Sequence, residues 1–184
     1  MELKSNMDGQ EVIMYLQRAV EKTILKAELQ TKAILITGAR QVGKSTTMRE
    51  LYPDYTYITL DDENFAELAR NDSSLFFRDI RYPVIIDEAQ YAPELFRTIK
   101  RIADSDNVKG KFFLTGSQSY ELMSSASESL AGRISIVEMS GLSLREIFHI
   151  DFNNPFIPDS SYIPLKISTY IIPVEPLPIA VRSW

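Results

Sequence analysis

The chain contains no cysteine, so disulfides, cysteine-ligated zinc and thiol catalysis are excluded. It has one histidine, His149; a multi-histidine metal site is excluded as well, and the residue reads as structural. Positive charge is scarce: 20 Lys and Arg against 25 Asp and Glu leave a net charge of −5 and a pI near 5.0. That balance supplies no basic field for non-specific nucleic-acid binding, so charge does not support nucleic acid as a partner. No stretch of about 18 uninterrupted apolar residues occurs, and MELKSNMDGQ lacks the apolar centre of a secretory signal. The expectation is a cytoplasmic protein without a membrane partner.

What is present is ordinary for a globular chain: 184 residues, 45% hydrophobic and 24% charged, enough for one domain with a buried core and a short extension. Val12, Leu16, Ala19, Val20, Ile24 and Ala27 share one helical face, which predicts an amphipathic helix from Glu11 to Leu29. Short apolar runs predict strands at Ala33–Ile36, Tyr55–Leu60, Val84–Ile86, Phe112–Leu114 and Ile134–Val137. Helices are predicted from about Gly43 to Leu51, from Glu63 to Arg70, and after Pro93, where Leu95, Phe96, Ile99, Ile102 and Ala103 recur at helical spacing. Phe76, Phe77, Phe112 and Phe113 read as core. Alternating strands and helices build an α/β fold with a mainly parallel sheet, and the right-handed crossover sets the glycine-containing loop at the carboxyl edge.

Near residue 150 the composition changes. Residues 151–184 hold six of the nine prolines, no glycine and five charged residues, and proline at that spacing sustains neither helix nor interior strand. The chain therefore reads as a helical extension over 1–30, a core over 31–150 and a proline-rich tail over 151–184.

The chemistry begins in TGARQVGKSTT, residues 37–47, where Gly38 through Ser45 fit G-x-x-x-x-G-K-[ST] between a predicted strand and a predicted helix. Gly38 and Gly43 let successive N–H groups turn inward around phosphate oxygens. Gly38, Ala39, Arg40, Gln41, Val42, Gly43, Lys44, Ser45 and Thr46 are thus the candidate nucleotide cradle. Lys44 is expected to bridge β- and γ-phosphate oxygens and Ser45 to ligand Mg2+. YPVIIDEAQ, residues 82–90, ends a buried strand in two acids: Asp87 to hold the metal with Ser45, and Glu88 to polarise the attacking water. The competing explanation is that these acids cap the next helix.

FFLTGSQS, residues 112–119, ends in small polar groups. Ser117 is the first candidate for sensing the γ-phosphate, with Thr115 and Gln118 behind it, against a plain turn at Gly116. In SESLAGRIS, Arg133 either stabilises charge at the γ-phosphate, from its own chain or a neighbour's, or satisfies carbonyls at the helix end that Gly132 closes. No N-K-x-D guanine-reading motif follows the core, so ATP is preferred over GTP.

TGARQVGKSTT, LDDEN at residues 60–64, PVIIDEAQYAPELF, FFLTGSQSYELM and ESLAGRISIVEMSGLSLREIF follow in this order. Together they resemble a family of prokaryotic AAA-type P-loop ATPases over about residues 10–150. The resemblance implies a P-loop NTPase three-layer sandwich with a mainly parallel five-stranded sheet of the additional-strand type. In it, the strand ending in Ser117 lies between the glycine-loop strand and the strand ending in Asp87 and Glu88. It also implies a Mg2+-dependent ATPase core and favours a nucleotide-site role for Arg133. In that family a winged-helix-like linker and a C-terminal domain similar to restriction endonucleases usually follow the core. After FNNPFIPDSSYI this sequence departs from the pattern, and residues from about Pro164 onward read as a truncated or frame-shifted remnant.

Other functions stay open on the residues: a nucleotide-gated switch with little turnover and an unidentified protein partner, a small-molecule kinase, or an inactive truncated fragment. The adjacent Asp87 and Glu88 argue against the kinase, because a water-activating glutamate is of little use in transfer to a hydroxyl. A homo-oligomer is expected if Arg133 acts on a neighbour's site.

Overall fold

The computed structural model describes residues 3–5, 11–13, 15–117 and 120–149. Its strands are β1 (Leu3–Ser5), β2 (Glu11–Ile13), β3 (Ala33–Gly38), β4 (Thr56–Thr59), β5 (Val84–Asp87), β6 (Phe112–Ser117) and β7 (Ile134–Glu138). Its helices are α1 (Glu21–Gln30), α2 (Lys44–Leu51), α3 (Glu63–Asn71), α4 (Ser73–Arg78), α5 (Leu95–Ser105), α6 (Tyr120–Ser129) and α7 (Leu144–Ile147), with a 3-10 turn at Ala89–Tyr91.

Five strands form one parallel sheet in the order β4-β5-β6-β3-β7. This is the P-loop NTPase sheet of the additional-strand type, with β6 between β3 and β5. The central strands are apolar at successive positions because both faces are covered. On one face Ala33, Leu35, Val84, Ile86, Phe112 and Leu114 pack against Phe76, Phe77, Leu95, Phe96, Ile99 and Leu122 from α4, α5 and α6. On the other, Ile34, Ile36, Ile85 and Phe113 meet Ile24 and Ala27 of α1 and Met48 of α2. The four phenylalanines expected in the core are all buried. Period-two alternation thus divides each strand between two helix layers, and every β–α junction delivers its polar end residues to the same carboxyl edge.

Local signals set the helix starts. Asp62 accepts from the Asn64 N–H at 2.9 Å and Asp72 from the Leu75 N–H at 2.8 Å, each satisfying a donor that a helix start leaves unpaired. Ser143 and Glu146 form a reciprocal capping box on α7.

One expectation needs correction. The amphipathic helix expected from Glu11 begins only at Glu21, and Glu11–Ile13 instead pairs antiparallel with Leu3–Ser5. The reason lies at Arg18, whose buried guanidinium reaches Val42 and Ser140. Tertiary anchoring of this segment outweighs its helical periodicity. The short helix α4 was not anticipated; its Asp72 cap was the available signal. The proline-rich tail over 151–184 and Gln118 lie outside the described residues.

Candidate nucleotide-binding site

The loop between β3 and α2 is shaped by positions that only certain residues fill. A Cβ on Gly38 would run into the Met139 carbonyl oxygen, so no larger residue fits without moving β7's end. Gly43 stands at the start of α2 with φ +96°, a conformation that costs little only for glycine. Gln41 also takes a positive φ, +63°. Ala39, Arg40, Gln41 and Thr46 are exposed along the rim, whereas Lys44 is only 6% exposed. Its ammonium donates to the Gly38 and Ala39 carbonyls at 3.1 and 2.8 Å, and so lies folded back into the loop.

Arg18 braces this loop from outside. It donates to Val42 O at 2.8 Å and Ser140 O at 2.7 Å, and its Nε lies 3.1 Å from Glu146 Oε1. Glu146 also accepts the Ala19 N–H at 2.8 Å. Burial alone would raise the Glu146 pKa, but main-chain bonds from Ser143 and Ala19, the Ser143 hydroxyl and Arg18 hold it below its ordinary value. Nothing in the helical periodicity marks Arg18, and sequence reasoning missed it.

At the sheet edge the sequence-predicted residues come together. Ser45 Oγ donates to Asp87 Oδ1 at 2.8 Å. Thr115 Oγ1 donates to that same oxygen and the Tyr57 hydroxyl to Oδ2. Asp87 is 5% exposed, so three hydroxyls stand in for the water that a buried carboxylate loses. Thr115, which the sequence offered as a second phosphate sensor, here serves Asp87. Tyr57 is pushed up to about 12, by burial first and then by its bond to Asp87, and the Arg49 guanidinium lies 4.0 Å from the centre of its ring. Sequence reasoning missed Tyr57, although Thr59 pairs with Asp87 in register and Tyr57 is two residues earlier on the same face. An open cleft of about 370 Å3 begins here, bordered by Ser45, Thr46, Arg49, Tyr57, Thr59 and Asp87.

Glu88 has left-handed backbone, φ +58°, which costs a side-chain-bearing residue about 1–2 kcal/mol. Its N–H meets Thr115 Oγ1 at 3.3 Å, and its carboxylate accepts from Gln90 Nε2. It begins the 3-10 turn without a side-chain capping bond, and α5 starts after Glu94; neither Asp87 nor Glu88 serves as the helix cap that the sequence left open. Ser117 pairs in register with Gly38, one strand over from the loop. Its N–H donates to Gln90 Oε1 at 3.2 Å.

Arg133 is not brought to the loop of its own chain. Its carbonyl accepts from Lys32 and Ala33 N–H at 3.1 and 3.0 Å, which fixes it at the amino end of the sheet. Gly38 is five residues further along β3, roughly 17 Å at 3.3 Å per residue. The guanidinium pairs with Asp104 and donates to Ala131 O at 2.9 Å, the carbonyl-satisfying arrangement that was the alternative. The bond from Arg133 is the main reason the Asp104 carboxyl lies below its ordinary range. Strand direction carried this signal: Arg133 precedes a strand parallel to β3, and therefore sits at the edge opposite the loop.

The donor set fits hard ligands. Ser45 and Asp87 offer only oxygen, as Mg2+ requires, and both stand at the carboxyl edge beside the glycine loop. Among the described residues no group of three or more His, Cys, Asp or Glu could hold a metal ion; Mg2+ here would draw its remaining ligands from phosphate and water.

A parallel sheet with a glycine loop, a buried lysine and a serine–aspartate pair at its carboxyl edge defines a P-loop nucleotide-binding protein. Residues 30–148 match the family described as AAA domain, and the chain belongs to that family. Two proteins described as uncharacterized, from Mycobacterium bovis and Mycobacterium tuberculosis, are each 35% identical over 132 residues, covering 71% of this chain and 30% of theirs. The chain thus spans under a third of the length of the curated relatives it matches. Among solved structures, the DnaC helicase loader aligns with TM-score 0.42 at 12% identity, over 69% of this chain and 94% of that one. An unliganded sugar kinase from Janibacter sp. HTCC2649 aligns with TM-score 0.36 at 15% identity, over 79% and 80%. No described helix is long and apolar enough to cross a membrane.

Proposed function

We propose that the chain binds ATP with Mg2+ and hydrolyses the nucleotide. The observation that carries this reading is the 2.8 Å hydrogen bond from Ser45 to Asp87. It joins the residue after the loop lysine to the acid at the end of β5, the two oxygens that a metal-bound phosphate would share. Mg2+ held by Ser45 and, through water, by Asp87 would neutralise charge on the phosphate oxygens. The loop N–H groups hold the β- and γ-phosphates, and Lys44 exchanges its two loop carbonyls for phosphate oxygens.

Glu88 then accepts a proton from a water whose oxygen bonds to the γ-phosphorus. The bond from that phosphorus to the bridging oxygen breaks, and ADP leaves with the electron pair. Ser117 contacts the γ-phosphate. Arg133 acts on a neighbouring copy's nucleotide, so the working form is a homo-oligomer, and its setting is the cytoplasm, where ATP and Mg2+ are at hand. ATP over GTP rests on the lack of a guanine-reading motif.

The test is phosphate release without any acceptor. Wild type should release phosphate only with Mg2+, and Lys44→Ala should lose about two orders of magnitude. Release that requires an added hydroxyl acceptor would make the chain a kinase instead.

A further inference from the structure

We propose that Gln90 is a positioning residue for Glu88 and links that base to the γ-phosphate-sensing end of β6; the inference rests on the ATPase reading above. The Gln90 side chain lies between two groups of opposite hydrogen-bonding character. Its Nε2 donates to Glu88 Oε2, and its Oε1 accepts the Ser117 N–H at 3.2 Å. A carboxylate only accepts and a main-chain N–H only donates, so the bridging group must donate on one side and accept on the other, as the Gln90 amide does in this one orientation.

The surroundings make room for that amide. A Cβ on Gly116 would come 2.8 Å from Gln90 Oε1 and would also run into Leu122, so a larger residue there would push Gln90 off the strand. Glu88 is fixed at its other end by the bond from its N–H to Thr115 Oγ1, the hydroxyl that also donates to Asp87. The metal-holding acid, the base and the strand end carrying Ser117 are therefore connected through two side chains, Thr115 and Gln90. With one Glu88 oxygen held by the amide, the other is left for the attacking water. A shift of Ser117 on meeting phosphate moves the Gln90 amide, and with it the base.

Gln90→Leu, Gln90→Glu and the double variant Glu88→Gln/Gln90→Leu test the link. The readouts are ATP affinity, kcat and KM, with the 15N shift of the Ser117 amide as a measure independent of turnover. Gln90→Leu should keep ATP affinity within about threefold, lower kcat by about 10- to 100-fold and move the Ser117 resonance. It should have no further effect on kcat once Glu88 is Gln, because it acts only through Glu88. Gln90→Glu keeps an acceptor for the Ser117 N–H but offers Glu88 no donor, so it should lower kcat while ATP affinity stays within about threefold. If Gln90→Leu fails to fold, the near-isosteric Gln90→Glu carries the test through its loss of kcat at unchanged ATP affinity.

An unchanged kcat, a loss that multiplies with that of Glu88→Gln, or an unmoved Ser117 resonance in Gln90→Leu would each overturn the proposal. A wild type without Glu88-dependent turnover overturns the ATPase reading instead; the Ser117 shift then still decides whether the bridge exists.

Discussion

Ser45 and Asp87 are joined by a 2.8 Å hydrogen bond that ties the first turn of α2 to the end of β5. Asp87 is nearly enclosed and receives two further hydroxyls, from Thr115 and Tyr57. A carboxylate held this way keeps its orientation before any ligand arrives, and preorganisation of that kind is what a metal-assisted site requires.

Removing either partner should appear first in the metal dependence. Ser45→Ala and Asp87→Asn should each raise the Mg2+ concentration for half-maximal phosphate release by about tenfold or more, a loss of about 1.4 kcal/mol. Nucleotide affinity in EDTA should change little. Mg2+ titrations of phosphate release and of binding separate the two effects.

Two glycine substitutions should behave differently. Gly38→Ala forces a methyl group onto the Met139 carbonyl; it should destabilise the fold by about 1–3 kcal/mol and abolish nucleotide binding. Gly132 has open space around it but φ +72°. Gly132→Ala should therefore cost about 1–2 kcal/mol of backbone strain and leave nucleotide binding intact. Thermal melts with and without ATP distinguish them.

The Arg18–Glu146 pair predicts a pH signature. The folded-state pKa of Glu146 is depressed, so its contribution is present above the unfolded carboxylate value and is lost as pH falls through the folded one. Wild type should lose stability on acidification below the ordinary glutamate range, with a shallower slope for Glu146→Gln. At neutral pH, Arg18→Met leaves Glu146 without its cation and should cost about 3 kcal/mol. Denaturant melts across the pH range check both.

Arg133 provides a mixing test. Arg133→Ala has an intact loop and Lys44→Ala an intact arginine; each alone should be inactive. If the arginine serves a neighbour, a mixture of the two should regain activity in proportion to mixed contacts, and wild-type specific activity should rise with protein concentration. A mixture as inactive as its components removes Arg133 from the reaction.

The central strands were legible because burial on both faces leaves a continuous apolar run, as in Ala33–Ile36 and Phe112–Leu114. The loop was legible because Gly38 and Gly43 occupy positions where a side chain would clash or strain. The meeting of Ser45 with Asp87 followed from strand ends sharing one edge. Tyr57 was not legible as a partner of Asp87, since contacts across neighbouring strands depend on register, which local periodicity does not encode; Gln90 lies only two residues after Glu88, but its contact depends on the left-handed Glu88 backbone and the 3-10 turn that follows. Arg18 escaped for a related reason: its partners Val42, Ser140 and Glu146 are distant in sequence, and those long-range bonds displaced the helix its neighbours favour.

The most direct test of hydrolysis is steady-state phosphate release by wild type and Glu88→Gln, with ATP affinity measured on both. Both proteins should bind ATP within a few-fold of each other, and wild type should turn over about 10²–10⁴ times faster. Equal, very slow release from two proteins that both bind ATP tightly would contradict the account and leave a switch in place of an enzyme.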